Sequence, residues 1–312
     1  MHYPARSMRK SDSSIPLASP QAPSAKPGSV REFCERILRS GDLDSKLASP
    51  TSTHDHPLTD DPGEAPIRID RPTRNPGLRM SGGSHRLPRP GLLTDPAARI
   101  ECLSRFAHHE LMAVELFAWA LLRWPDLDRP LRKGLLAALV DEQSHCRLYL
   151  DRLAAHGGRF DTDDHSDYFW QQIPHVAASP HGPRAFLSAM GLTLEQANLD
   201  FTLTYRDGFA DAGDVESAAV CQRVHDEEIA HVALAIRWMQ RLDPDTEPKT
   251  DLEGYLDCVP FPLGPARAKG RRFEVGARRK AGLSEEMIEF IRLARSPQDH
   301  RPTRRDGNKD TR

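Results

Sequence analysis

The pentapeptide DEQSH occupies residues 141–145, and EEIAH, with the same acid-Glu-x-x-His pattern, occupies residues 227–231. Residues three apart in a helix share a face, so the Glu and the His of each copy would point the same way. Apolar residues surround both copies at helical spacing, which indicates that these polar side chains lie on buried faces. An ionised carboxylate is costly in such a position unless it is paired or bound to a metal.

A further glutamate precedes each copy at a similar distance. Glu110 lies 32 residues before Glu142, and Glu195 lies 33 residues before Glu228. In an antiparallel pair of helices, a gap of this length returns the second motif to the level of the first. The chain thus contains two copies of one pattern. Two such helix pairs packed together would bring four carboxylates and two imidazoles to the same level.

This set of side chains is one by which four-helix bundles hold two metal ions, with a Glu from each of two helices and Glu-x-x-His from each of the other two. We predict a site for two Fe ions, with Mn/Fe or Mn/Mn pairs as alternatives, because carboxylate-rich sites bind these ions similarly. The predicted ligands are Glu110, Glu142, His145, Glu195, Glu228 and His231.

Two alternatives to this site remain open. Glu115 also lies in the first helix, but its 27-residue gap to Glu142 fits the second copy of the pattern less well than that of Glu110. The buried Glu and His side chains would otherwise form a metal-free polar network that specifies the helix register.

Side chains next to the predicted ligands are candidates for supporting roles. Asp141 and Glu227 each stand one position before a ligand Glu, so each could accept the ring N–H of the opposite histidine, Asp141 from His231 and Glu227 from His145. His225, one turn before Glu228, is a candidate second ligand or hydrogen-bond donor. His109, next to Glu110, is a candidate for contact with the site or with a substrate.

The distribution of proline predicts the helices. Proline is sparse from residue 95 to 241 and brackets long proline-free segments, which predicts helices over about 96–123, 131–156, 182–211 and 214–241. The segment between the second and third helices is long enough to cross from one end of a bundle to the other. The predicted fold is therefore all-α, a four-helix bundle with one long crossover over residues 96–241.

The flanking segments differ in composition from this bundle. Residues 1–28 and 296–312 are predicted to be disordered tails, and residues 29–95 to form a short helix and an extended linker rich in proline. Residues 242–295 are predicted to be an irregular, basic C-terminal arm with one short helix. The arm would be solvated, or would contact nucleic acid or phosphate.

Composition excludes several classes of protein. Lys+Arg 43 against Asp+Glu 45 gives a formal net charge of −2, so no overall field favours a nucleic-acid partner. The five cysteines form no C-x-x-C pair and no secretory signal or membrane-length apolar run is present, which predicts a cytoplasmic protein without a membrane partner. Nucleotide- and dinucleotide-binding motifs and the G-x-S-x-G hydrolase motif are also absent.

Several stretches resemble a known family. FCERILRSGDLDSK (33–46), AHHELMAVELFAWAL (107–121), DEQSHCRLYLDRL (141–153), HDEEIAHVALAIRWM (225–239) and ARRKAGLS (277–284) are similar to the bacterial ferritin-like family labelled domain of unknown function 455 (DUF455). The resemblance runs from about residue 29 to 290 and implies a ferritin-like fold with a metal site. The N-terminal helix and the Arg-rich C-terminal segment are the parts most particular to this family.

The predicted function is that of a non-haem dimetal oxidoreductase that activates O₂ or peroxide to hydroxylate or oxidise an organic substrate. The substrate would be a small molecule or, since a related ferritin-like hydroxylase modifies tRNA, a modified nucleoside. A separate electron donor would be needed because no rubredoxin-like cysteine pairs are present, and a homodimer is one expected assembly. Iron storage or detoxification and a metal-free helical scaffold are the alternative functions.

Overall fold

The computed structural model shows a helical protein. In the described parts of the chain there is no β-strand, and only isolated bridges join Ser29 to Thr59 and Met80 to His165. Apart from Gly28, the two predicted tails lie outside the described residues. The structure describes residues 28–50, 58–60, 65–82, 86–161, 164–243 and 249–295.

Four segments of the chain form the long helical elements, and shorter helices flank them. The α-helices are α1 (Val30–Arg39), α2 (Leu43–Leu47), α3 (Pro96–Arg123), α4 (Arg129–Ala155), α5 (Ile173–Ala178), α6 (Pro183–Ala189), α7 (Gln196–Asp211), α8 (Val215–Arg241), α9 (Asp251–Cys258), α10 (Val275–Ala281) and α11 (Glu285–Leu293). None of the helices in the described part of the chain is long and apolar enough to cross a membrane.

Local sequence explains where the long helices begin. Asp95 caps α3 by accepting a hydrogen bond from the Ala97 N–H, and a proline follows it at the first helical position. Asp214 caps α8 in the same way by accepting from the Ser217 N–H. The predicted bounds of α3, α4 and α8 agree with the structure within two residues, because proline and capping residues mark these ends in the sequence.

The predicted third helix is not one α-helix. A π-helical turn, Met190–Glu195, separates α6 from α7, and in it the hydrogen-bond spacing widens from four residues to five. The Thr193 hydroxyl donates to the Ser188 carbonyl oxygen at 2.7 Å. Gly191 lies so close to α8 that a Cβ at this position would be 2.3 Å from the Cβ of Ala235. The absence of a side chain at Gly191 therefore lets the π-helical turn approach α8 closely.

Two apolar cores follow each other along the long helices. The first core includes Trp119 and Phe186, and the second core includes Tyr149 and Phe209. α3 packs along α4, α7 packs along α8, and α4 contacts α8, so these helices enclose both cores. Burial of these large side chains is the main source of stability in the fold.

The order of the two cores shows the direction of each helix. On α3 the second core extends to Leu111 and the first begins at Met112, whereas on α4 the first core ends at Leu139 and the second begins at Cys146. α3 and α4 therefore run antiparallel, as their five-residue connection requires.

The second pair of helices shows the same arrangement. α7 places Leu199 in the first core and Tyr205 in the second, whereas α8 places Val224 in the second and Val232 in the first. α7 and α8 are therefore antiparallel as well, and the long segment between α4 and α6 crosses from one end of the helices to the other.

The linker before α3 is extended and packs on the helices over residues 65–82. The Thr73 N–H donates to the Leu38 carbonyl, and the Trp119 indole N–H donates to the Ile69 carbonyl at 2.9 Å. α1 packs on α3 through its buried face. The polar composition of the linker does not reveal these contacts, because they are made by its backbone.

The C-terminal arm is more regular than the sequence indicates. It contains α9, α10 and α11, whereas we predicted an irregular arm with only one short helix. The Arg278 side chain is fully buried and contacts the buried carboxylate of Asp200 at 2.7 Å. The prediction that this basic segment is solvated is therefore wrong for Arg278, since its charge is balanced by an acid on α7, 78 residues earlier in the chain.

Candidate metal centre

Three long helices and the π-helical turn each contribute to one cluster of polar side chains. Potential ligand atoms of the residues lie within 4.8 Å of one another in two overlapping groups. The first group contains Glu110, Glu142, His145 and Glu228. The second group contains Glu142, Glu195, Glu228 and His231. The structure thus brings together all six side chains that the sequence analysis selected.

These six residues are buried in the interior of the fold. None of them is more than 5% exposed. Glu142 lies between the two apolar cores on α4, and Glu228 lies between them on α8. Because burial of unpaired carboxylates is costly, this cluster requires compensation by protons or by cations.

The two Glu-x-x-His motifs form the centre of the cluster. Glu142 and Glu228 belong to both groups, so both groups share these two carboxylates. His231 Nδ1 lies 3.0 Å from Glu142 Oε1 and 3.1 Å from Glu228 Oε2. His145 Nδ1 lies 3.5 Å from Glu142 Oε2. Both histidines therefore present Nδ1 to the carboxylates.

The other ring nitrogen of each histidine faces an acid on the opposite helix. His145 Nε2 is 2.7 Å from Glu227 Oε2, and His231 Nε2 is 3.3 Å from Asp141 Oδ2. An N–H on Nε2 that donates to these carboxylates leaves the Nδ1 lone pair directed into the cluster. This tautomer is the one in which Nδ1 can bind a metal.

Several potential metal-ligand atoms in the cluster form no hydrogen bond. These atoms are buried, and most buried polar atoms in proteins are hydrogen-bonded. Oxygen and imidazole nitrogen are ligands that iron and manganese accept. The cluster therefore fits a pair of such ions, which would occupy the lone pairs that the protein leaves unused. The unpartnered atoms are Oε1 and Oε2 of Glu142, Nδ1 of His145 and Oε1 of Glu195.

Burial and neighbouring charges shift the pKa values of the cluster. Burial raises the pKa of Glu110, and the charge of Glu142 raises it further; burial and Glu228 do the same to Glu195. Burial alone would lower the pKa of His145, but Glu142 raises it well above its ordinary value. Metal ions must displace the protons that these groups retain, so metal binding releases protons.

Glu115 has a different role from the one considered for it. Its buried carboxylate lies 2.9 Å from Lys46 Nζ and 2.8 Å from Arg74 Nη2, and it accepts a hydrogen bond from the Trp170 indole N–H at 2.9 Å. Burial would raise the pKa of Glu115, but Arg74 and Lys46 hold it below its usual value. Glu115 belongs to neither group of potential ligands and instead joins α3 to three other segments.

Two histidines proposed for supporting roles lie outside both groups of potential ligands. His225 Nδ1 is 3.1 Å from the Leu199 carbonyl oxygen, so this nitrogen faces the backbone of α7. The ring of His109 stacks on Phe169, with the ring centres 5.5 Å apart. His109 lines a cavity of about 490 Å³ that also touches Glu110 and Glu195.

Comparison with known proteins assigns the chain to a family. The family model described as "Protein of unknown function (DUF455)" matches residues 22–289, which is most of the chain. The chain belongs to the DUF455 family. No curated protein and no solved structure matches the chain.

In this DUF455 protein, sequence reasoning missed one residue of the cluster. Asn198 Nδ2 donates to Glu228 Oε1 at 2.7 Å, which holds one oxygen of that carboxylate in place. The signal is present in the sequence, because Glu195 and Asn198 have the same three-residue spacing as the Glu and His of the other two motifs. An Asn at this position supplies a hydrogen-bond donor where those motifs supply an imidazole.

Proposed function

We propose that this DUF455 protein is a non-haem dimetal oxidoreductase with a ferritin-like four-helix bundle. The observation that carries the proposal is the convergence of four buried carboxylates and two imidazoles, several of whose potential ligand atoms form no hydrogen bond within the protein. The ligand types support two Fe ions, with Mn/Fe and Mn/Mn as alternatives.

Each ion would be held by one group of side chains. Glu110 and His145 would bind the first ion, and Glu195 and His231 the second. Glu142 and Glu228 would help to hold both ions, because both belong to the two groups. Asp141 and Glu227 would hold the histidines in the tautomer that keeps Nδ1 free for the metal.

The proposed reaction is the oxidation or hydroxylation of an organic substrate by O₂ or peroxide. When bound, the metal pair would supply one-electron redox chemistry at the oxidant. The two apolar cores on either side of the cluster would exclude water from the reacting groups. The cavity beside Glu110 and Glu195 would hold the substrate, a feature that favours an enzyme over a storage protein.

The proposed partners are a separate electron donor and a soluble substrate, with a homodimer as one assembly. A modified nucleoside in tRNA has less support than a small molecule. Arg278 of the basic arm pairs with Asp200, and Arg279 pairs with Glu285, so these two charges are balanced within the protein. Phosphate contacts would have to come from the remaining basic residues.

The proposal is tested by the metal content of protein purified without an affinity tag, measured by mass spectrometry. We expect about two Fe or Mn ions per chain and loss of both in the variant Glu142→Gln/Glu228→Gln, which removes the two shared ligands while keeping their shape. The control variant Glu101→Gln/Glu216→Gln changes exposed acids on α3 and α8 and should retain the metal.

Other outcomes would separate the alternative functions. Protein with little metal, unchanged in the variant, would show that the cluster is structural and would refute the dimetal function. Metal-loaded protein that assembles into a cage and oxidises Fe²⁺ without an organic substrate would support iron storage. Oxygen consumption that depends on both a reductant and an organic compound would support the oxidoreductase.

A further inference from the structure

The cavity beside the candidate metal centre has the size of a small-molecule site. Its volume is about 490 Å³, within the range of roughly 300–1,000 Å³ found for ligand pockets. Glu110 and Glu195 line it, and both are almost fully buried. A molecule in the cavity would therefore lie against the two proposed ligands that come from outside the Glu-x-x-His motifs.

Five Phe and Tyr side chains line the cavity. Phe201 on α7 is 38% exposed, so it lies where the cavity meets solvent. The Tyr205 hydroxyl donates to the Pro88 carbonyl at 2.7 Å, which satisfies the polar end of that side chain. Such walls favour an apolar or aromatic body. The aromatic lining residues are Phe106, Tyr168, Phe169, Phe201 and Tyr205.

Apart from the two glutamates of the metal cluster, the Lys and Arg residues give the cavity lining a positive charge. Arg86, Arg267 and Lys269 line the cavity, and among its described lining residues Glu110 and Glu195 are the only acids. Arg86 and Arg267 are exposed to solvent, whereas Glu110 and Glu195 are buried. Lys269 donates a hydrogen bond to the Arg292 carbonyl on α11.

We propose that this cavity binds an amphipathic anion. Its apolar body would lie between the aromatic walls, and its carboxylate or phosphate group would lie at Arg86, Arg267 and Lys269. The far end of the body would then reach Glu110 and Glu195. That the anion is the substrate of the metal centre rests on the proposed function, whereas its binding requires no metal.

A matched pair of fluorescent probes tests the role of charge. 8-Anilinonaphthalene-1-sulfonate is an aromatic anion, and N-phenyl-1-naphthylamine is the same ring system without the sulfonate. We expect Arg267→Glu to weaken binding of the sulfonate by about tenfold or more, as loss of a charge-assisted hydrogen bond implies, and to leave the neutral probe unaffected. Arg271→Glu, an exposed residue of the same arm outside the lining, is the control.

A second variant locates the site independently of charge. Phe201→Ser should weaken the binding of both probes, because it removes part of the apolar wall. Phe290→Ser changes a phenylalanine of similar exposure, 42%, on α11 outside the cavity and should change neither. Equal effects of the two Phe variants, or equal binding of the two probes to the original chain, would overturn the proposal.

The nature of the anionic group is tested by displacement of the sulfonate probe. Stronger displacement by dodecanoate than by dodecyl phosphate would identify a carboxylate ligand, and the reverse order a phosphate ligand. Displacement by dodecanol that equals both would show that the anionic group is not recognised, which overturns the proposal.

These titrations use the full chain after removal of metal by a chelator, so the two proposals can fail separately. A chain that carries two metal ions but binds the sulfonate no better than the neutral probe would refute only the anion site. A chain that binds the sulfonate selectively but carries no metal would refute only the dimetal function.

Discussion

At the scale of single residues, the two ring nitrogens of each histidine in the cluster have different neighbours. Nδ1 lies among the carboxylates of the cluster, and Nε2 lies against an acid on the opposite helix. The acid therefore determines which nitrogen carries the proton, and with it which nitrogen is available as a ligand. The acid before the Glu of each motif thus orients the histidine of the partner motif, not of its own.

This arrangement predicts the effect of changing an outer acid. Glu227→Gln should weaken metal binding by about 10- to 100-fold, because an amide cannot hold the His145 N–H as a carboxylate does. The measurement is competition between the protein and a chelating indicator for Mn²⁺. Asp226→Asn alters the neighbouring exposed acid, which contacts Gln222, and should bind Mn²⁺ normally. Unchanged affinity in the Glu227 variant would show that this acid does not orient His145.

The convergence of the six side chains could be predicted because the i, i+3 spacing and the similar gaps of 32 and 33 residues between the glutamates can be read directly from the sequence. The contact of Asn198 with Glu228 could not be predicted with the same rule, since the rule searched for His alone. The pairing of Glu115 with Lys46 and Arg74 was missed because those cations lie in segments whose path depends on tertiary packing.

At the scale of elements, the π-helical turn determines how Glu195 is presented. Glu195 is the last residue of the π-helical turn, so the widened hydrogen-bond spacing lies directly before a predicted ligand. The turn is held from outside by α9, because Thr193 Oγ1 lies 2.9 Å from the Tyr255 hydroxyl. Thr193 donates to the Ser188 carbonyl, so Tyr255 is the donor in this second hydrogen bond.

Removal of the Thr193 hydroxyl should therefore destabilise the protein. Thr193→Val keeps the shape of the side chain but leaves the buried Tyr255 hydroxyl without its acceptor, at a cost of about 1–3 kcal/mol in the free energy of unfolding. Thr193→Ser retains the hydroxyl and is the control. The measurement is urea-induced unfolding, and equal stability of the Val and Ser variants would contradict the role given to the hydroxyl.

The N-cap of α8 predicts a dependence of stability on pH. Burial would raise the pKa of Asp214, but hydrogen bonds from Ser217 and His156 lower it below its ordinary value of 3.8. A carboxyl whose pKa is depressed by folding stabilises the protein above its unfolded pKa, and this contribution is lost as pH falls through the folded value. Asp214 therefore stabilises the protein at neutral pH and not in strong acid.

Asp214→Asn should accordingly unfold more easily than the original chain at pH 6, and the difference should shrink as the pH falls below 3.8 and disappear in strong acid. Asn retains the capping hydrogen bond, so the comparison isolates the charge. Urea titrations at several pH values provide the measurement, with Asp211→Asn, an exposed acid at the end of α7, as the control. A difference that persists in acid would show that the ionisation of Asp214 is not responsible.

The elements themselves were predictable to different degrees. The bounds of α3, α4 and α8 could be predicted from capping residues and prolines, which act locally. The π-helical turn could not, because its sequence has the apolar spacing of an α-helix and the close contact of Gly191 with Ala235 involves another helix. α9 and α10 were missed because both are short and depend on packing against the long helices.

At the scale of the whole molecule, a fully buried ion pair between Arg278 and Asp200 attaches the C-terminal arm to α7. Both side chains of Arg278 and Asp200 are fully buried, and Asp200 also accepts hydrogen bonds from the backbone N–H groups of Gly270 and Glu274. Asp200 therefore organises the loop before α10 as well as the helix. The same arm supplies Arg267 and Lys269 to the cavity.

Loss of one partner from this pair should be costly. Arg278→Ala leaves the Asp200 carboxylate buried without its cation and should lower the free energy of unfolding by about 3–5 kcal/mol. Arg279→Ala removes the adjacent arginine, which forms an exposed pair with Glu285, and should have no measurable effect. Chemical unfolding of both variants provides the measurement, and similar stabilities would show that the arm is held mainly by its apolar contacts.

The network around Glu115 has a consequence for the order in which the chain can fold during synthesis. Lys46 and Arg74 leave the ribosome before their partner Glu115, and Trp170 leaves after it. Lys46 and Arg74 thus lack the Glu115 carboxylate until α3 has been synthesised. The hydrogen bond from Trp170 can form only after the crossover has followed. Translation therefore produces α1, α2 and the linker that pack on α3 before α3 and α4 themselves. Of the candidate metal centre, the half that contains Glu195 and His231 is synthesised second.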